Sequence, residues 1–226
     1  FVEVSLAGTL NTVTGNFTAT NTGTGSLAFG GTAAGNLTIS GNYIQTGGLV
    51  VGSLSAARSI TVTGSLSLTG GTLDLSSSPT AGNAVSFSIG GNFTHTAGTL
   101  TESGSTTGSG IVFTTGSHTY TSGGTLSNTV NYTVNNGATL QMGTGASPST
   151  ISGSSGTFTL ANGATLGITS TAGVTTTGAT GNIQVTGTRT YTTGSNFIYN
   201  GTTAQVSGNG LTATNKGNVT IDNPTS

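Results

Sequence analysis

The chain has 226 residues, of which 40 are glycine and 51 threonine, while only 7 carry a formal charge and the net charge is −1. A globular domain carries about a quarter of its residues as charges, so 3% counts against an enzyme and against a nucleic-acid binder, which needs a basic patch. Collagen is excluded because glycine has no period of three and Pro numbers 3, and helices are disfavoured because Gly, Thr, Ser and Asn are poor helix formers.

Taken in chain order, short segments alternate apolar and polar residues. After Gly15-Asn16-Phe17-Thr18 come Gly35-Asn36-Leu37-Thr38, Ile60-Thr61-Val62, Leu66-Ser67-Leu68 and Leu73-Asp74-Leu75. Val85-Ser86-Phe87-Ser88-Ile89, Phe158-Thr159-Leu160, Leu166-Gly167-Ile168, Ile183-Gln184-Val185 and Val219-Thr220-Ile221 follow the same rule. Period-two alternation puts the apolar residues of a strand on one face. The longest apolar runs are three residues, such as Ile111-Val112-Phe113, far below the ~20 that a membrane-spanning helix needs. No membrane span is expected in this segment.

Two phrases punctuate these strands. Gly-Asn-apolar stands at Gly15-Asn16-Phe17, Gly35-Asn36-Leu37, Gly41-Asn42-Tyr43, Gly91-Asn92-Phe93, Gly181-Asn182-Ile183 and Gly217-Asn218-Val219. Gly-Thr-Leu, with its variant Gly-Ala-Thr-Leu, stands at Gly8, Gly71, Gly98, Gly124, Gly137 and Gly163. Tight corners need positive φ, which Gly adopts freely and Asn tolerates. Comparable strands begin near residues 36, 59, 85, 111, 130, 158 and 183, so 19–28 residues apart.

This pattern predicts an all-β chain, a parallel β-solenoid of about nine or ten short coils, with a β-sandwich array as the alternative. At ~4.8 Å per coil the rod is expected to be about 45 Å long. No composition shift marks a boundary, so residues 1–226 read as one continuous solenoid segment, expected to belong to a longer chain. Asn16, Asn36, Asn92, Asn182 and Asn218 are the candidates for corner or ladder positions, each amide bonding the next coil. The glycosylation-type triplets, several of them on these same asparagines, are read as corner chemistry.

The candidates for catalysis are few. Asp74 and Glu102 lie 28 positions apart, about one coil, and His95 and His118 lie 23 apart. The carboxylates read as solvated surface groups and the histidines as exposed strand or turn positions. The expectation is no enzyme, no metal site and no cofactor. Tyr43, Tyr120, Tyr132, Tyr191 and Tyr199 are candidates for stacking on sugar rings if they line one groove. Thr-x-Thr pairs, such as Thr61/Thr63 and Thr157/Thr159, suggest an ice-binding ladder as a further alternative, against which stands their irregular spacing of 25 to 49 residues.

The Gly-Asn-Leu-Thr-Ile phrase at 35–39 and the Gly-Ala-Thr-Leu phrases resemble those of the long repetitive β-helical surface proteins of bacteria. These are the filamentous-haemagglutinin-like and autotransporter-like adhesins and the giant fibres exported by the type IX route. The resemblance implies export, an extracellular or cell-surface location, and a structural or adhesive role; the tyrosines above add cell-surface glycans as an alternative class of partner. The absence of charge repulsion adds the expectation of self-association into a filament or bundle.

Overall fold

The computed structural model describes residues 3–5, 10–31, 34–105, 107–214 and 216–224. These contain twenty-three strands and no helix. The strands form a thirteen-stranded sheet, an eight-stranded second sheet and a small two-stranded one. The ladders that build them are parallel, each strand pairing with its equivalent one coil later. One antiparallel pair, Gly143–Thr144 against Ser147–Pro148, closes a local hairpin. The fold is therefore the parallel β-solenoid, not the sandwich.

The eight strands of the second sheet set the count at about eight turns, fewer than the nine or ten expected. The coils are wider than the 19–28 residues that the sequence spacing gives, reaching 31 between Thr159 and Thr190. Thr12, Thr38, Thr61, Ser88, Val112, Thr133, Thr159 and Thr190 stand in one line across this sheet, 21 to 31 positions apart. The longest coil, between Thr159 and Thr190, absorbs the Ile183 segment into the small sheet, where Ile183 pairs with Ile151. At ~4.8 Å per turn the rod is roughly 40 Å long.

A regular coil has three strand segments. Arg58–Val62 belongs to the second sheet, and Leu66–Ser76 crosses two sides of the large one. The long strand changes direction midway, and its ladder with Tyr43–Ser53 slips register there. Gly48, Gly71 and Gly98 sit at this corner with φ of +74°, +73° and +73°. A Cβ on Gly71 would stand 2.3 Å from the Gly48 carbonyl oxygen, so the corner needs both the positive φ and the missing side chain. The Gly-Thr-Leu phrase belongs here: Thr72, Thr99 and Thr125 are neighbours across the ladder, and Leu73, Leu100 and Leu126 lie beside them facing inward.

The core is a set of columns. On the second sheet, Val13, Ile39, Val62, Ile89, Phe113, Val134, Leu160 and Tyr191 stack coil on coil. On the large sheet, Phe17, Tyr43, Leu66, Phe93, Tyr120 and Met142 do the same. The Gln141–Gly167 pairing places Ile168 next, followed by Tyr199 and Ile221. One inward column thus runs the length of the rod. Each buried side chain in it contributes on the order of 1.5–3 kcal/mol of transfer free energy.

Candidate functional site

The corner between the second sheet and the large sheet carries a hydrogen-bonded ladder. Asn42 N–H donates to Asn16 Oδ1 at 2.8 Å, and Ser65 N–H to Asn42 Oδ1 at 2.8 Å. Asn92 N–H donates to Ser65 Oγ at 3.0 Å, and Thr119 N–H to Asn92 Oδ1 at 2.8 Å. The amides do not bond one another, as a ladder of stacked asparagines would. Here each side-chain oxygen instead satisfies the backbone N–H of the next coil, which is why a serine serves on one rung.

The other ladder candidates lie elsewhere. Asn36 is exposed at the start of a second-sheet strand, Gly35–Ile39. Asn182 is buried, its Oδ1 accepting the N–H groups of Thr169 and Ser170 and its Nδ2 donating to Ser149 O and Thr169 Oγ1. It pins a wide loop. Asn218 is exposed in the last strand, where its N–H donates to Asn196 Oδ1.

The five tyrosines are all buried, at 0–8% exposure. Tyr43 donates to Gln45 Oε1 at 2.6 Å, Tyr191 to Thr175 O at 3.1 Å and Tyr199 to Ser207 O at 2.6 Å. Burial pushes the phenols of Tyr43 and Tyr132 well above their usual range, and that of Tyr199 up to about 12. No ring face is left to meet a sugar, so the stacking expectation is overturned for all five. The rings are the widest pieces available to fill the inner columns.

The titratable groups read as exposed are also buried: Asp74 5%, Glu102 2%, His95 0% and His118 1%. Asp74 accepts from the Ser103 N–H at 3.0 Å and from the Ser103 hydroxyl, so both carboxylate oxygens tie one coil to the next. His95 stacks flat on Phe93 with centroids 5.8 Å apart, and burial holds its imidazole below the usual range. His118 has its ring nitrogens 2.6 Å from Gly91 O and 2.5 Å from Thr114 O. Arg189 is buried and held by carbonyls, with Nε donating to Val185 O at 3.1 Å and Nη1 to Thr175 Oγ1 at 2.8 Å. Among the described residues no three His, Asp or Glu side chains gather as a metal site would require.

Two surfaces remain. The outer side of the second sheet presents Thr38, Thr61, Ser88, Thr133, Thr159 and Thr190 in one line, broken only by Val112. A parallel line runs Asn36, Ser59, Ser86, Gly110 and Asn131. Thr61 and Thr159 share the first line, but their Thr-x-Thr partners fall on opposite sides of it, Thr63 after it and Thr157 before it, so the pairs themselves do not stack in register. The second surface is the last strand, Lys216–Ile221, exposed at every position. There Val219 and Ile221, with Val206, Leu211 and Tyr199, line an apolar groove.

No family model, no curated protein and no solved structure matches this chain. No helix of the described residues is long and apolar enough to cross a membrane.

Proposed function

We propose that the chain is a structural segment of a secreted bacterial cell-surface fibre, a stiff rod that supports adhesion. The observation that carries this reading is the inward column from Phe17 to Ile221, unbroken through every coil. Such a stack resists bending and offers proteases few open edges, because most strands of the two larger sheets are paired on both sides. The buried carboxylate of Asp74 and one ring nitrogen of His118 are spent on inter-coil bonds to Ser103 and Gly91 O, which supports a mechanical role over a chemical one. Antibodies raised against the purified chain should label intact source cells. Labelling that requires lysis would sink the surface assignment.

A second reading is a binding face, and the hydroxyl lines of the second sheet favour it. Parallel strands ~4.8 Å apart, with outward residues ~6.6 Å apart along each strand, present a flat grid of hydroxyl and amide groups to ordered water or to a crystalline polysaccharide. Replacing Thr61 and Thr159 by lysine should abolish ice-recrystallisation inhibition or retention on insoluble polysaccharide. Absence of both activities in the unaltered chain removes this reading.

A further inference from the structure

Arg189 puts a charge in an apolar line. Leu37, Ile60, Phe87, Ile111, Tyr132 and Phe158 form an inward column of the second sheet, and Arg189 is its next member. It is 6% exposed. The guanidinium donates to Val185 O, Gly178 O and Thr175 Oγ1, and among the described residues no carboxylate accepts from it. These oxygens satisfy its N–H groups but bring no negative charge, and a buried charge without a counter-charge is costly. Desolvation accordingly holds its pKa below the usual arginine value.

The wide loop that Arg189 pins forms a pocket of about 310 Å³ beside it, lined also by Thr176, Thr177, Gln184 and Thr186. Thr177 and Thr186 are exposed. Gln184 donates from Nε2 to Gly181 O at 2.9 Å, which leaves its carbonyl oxygen to accept. Gln184 also lines a second pocket of about 310 Å³, with Pro148, Thr150, Ser170, Ala172 and Thr180. Coils of this chain lie on both sides of the loop. The N–H groups of Thr186 and Gly187 donate to Ser154 O and Gly156 O of the coil before, and Asn209 of the coil after accepts the Thr176 N–H at 3.0 Å.

We propose that the two pockets bind an acidic saccharide, with the carboxylate of a uronate unit over Arg189 and a neutral unit beyond Gln184. The inference goes beyond the fibre reading and does not depend on it. One buried cation calls for one negative charge, and a carboxylate carries one. The hydroxyl and amide groups of both pockets match a ligand rich in hydroxyls, and Pro148 and Ala172 offer apolar patches to its C–H faces. Neither pocket holds an aromatic or a second charged side chain. The bonds of Arg189, and those of Asn182 to Ser149 O and Thr169 Oγ1, fix the loop before a ligand arrives, so little ordering opposes binding.

Amide chemical shifts of the whole chain, titrated with a galacturonate trimer, a neutral galactose trimer and sodium sulfate, test the site. The galacturonate trimer should shift Thr177, Gln184 and Thr186 saturably, and the neutral trimer should bind about fivefold more weakly. No shift at these residues overturns the proposal, and equal binding of the two trimers removes the role given to Arg189. Sulfate binding as tightly as the acidic trimer overturns the saccharide assignment. Because Arg189 also pins the loop, the charge is varied at exposed Thr177. Thr177→Glu should weaken galacturonate binding about fivefold and Thr177→Lys should strengthen it by a similar factor, while Thr61→Glu on the second sheet should leave it unchanged. An equal loss in Thr61→Glu would show attraction to the whole chain and overturn the site. Loss of galacturonate binding leaves the fibre reading standing, and failure of cell-surface labelling leaves this site standing.

Discussion

Asn92 Oδ1 accepts the backbone N–H of Thr119 at 2.8 Å, one full coil further along the chain. The bond is made at a corner, where regular strand pairing stops and a backbone donor is left over. Asn92→Ala should lower stability by about 0.5–1.5 kcal/mol, and amide exchange at Thr119 should accelerate. Asn92→Ser should keep much of the protection, since Ser65 already fills the equivalent rung. Equal exchange in both variants would show that the rung is idle.

The glycine corner makes a sharper demand. Gly71→Ala brings a Cβ within 2.3 Å of a backbone oxygen at φ +73° and should cost about 3 kcal/mol or more. Gly82 has φ +97° but nothing within 4 Å of its Cβ position, so Gly82→Ala should cost only about 1–2 kcal/mol of backbone strain. Chemical denaturation of the two variants separates steric overlap from conformational strain.

Two buried tyrosines should respond oppositely to loss of the hydroxyl. Tyr43 Oη donates to Gln45 Oε1 at 2.6 Å, and Tyr43→Phe leaves that buried oxygen short of a donor, at a cost of about 1–3 kcal/mol. Tyr132 Oη is buried with no hydrogen-bond partner. Tyr132→Phe should be neutral or stabilising by up to about 1 kcal/mol. Thermal midpoints measured side by side decide it.

The same rings predict alkaline lability. Burial raises the phenol pKa of Tyr43, Tyr120, Tyr132, Tyr191 and Tyr199. In the unfolded chain these phenols ionise near pH 10, while in the fold they hold their protons. The folded state then binds more protons, and stability falls as pH rises above about 10. Absorbance of phenolate should stay flat until it jumps together with loss of the β-sheet signal. A gradual titration with the sheet intact would contradict the burial.

How much of this was legible in the sequence varies from strand to strand. Val85-Ser86-Phe87-Ser88-Ile89 shows its inward residues by hydropathy alone, and all three apolar ones are at 0% exposure. The strand at Tyr43-Ile44-Gln45 misleads, because Gln45 is buried while Ile44 faces outward. Its amide is satisfied by bonds to Gly48 O and, one coil on, Thr72 O, which hydropathy does not register. The same holds for Asp74, whose buried state depends on Ser103, 29 residues away. The recurring Gly-Asn and Gly-Thr-Leu phrases revealed corners but not their number. The loops at 169–182 and 200–214 enlarge the last coils without repeating either motif in phase.

Unequal coils have a consequence for reach. A coil advances the rod by about one strand spacing whether it spends 21 residues, as from Val112 to Thr133, or 31, as from Thr159 to Thr190. Length along the axis is metered in turns, not in residues. Insertions and deletions at the wide corner are free to accumulate there as decoration, changing the girth and the chemistry of the flank while the distance between the two tips stays fixed.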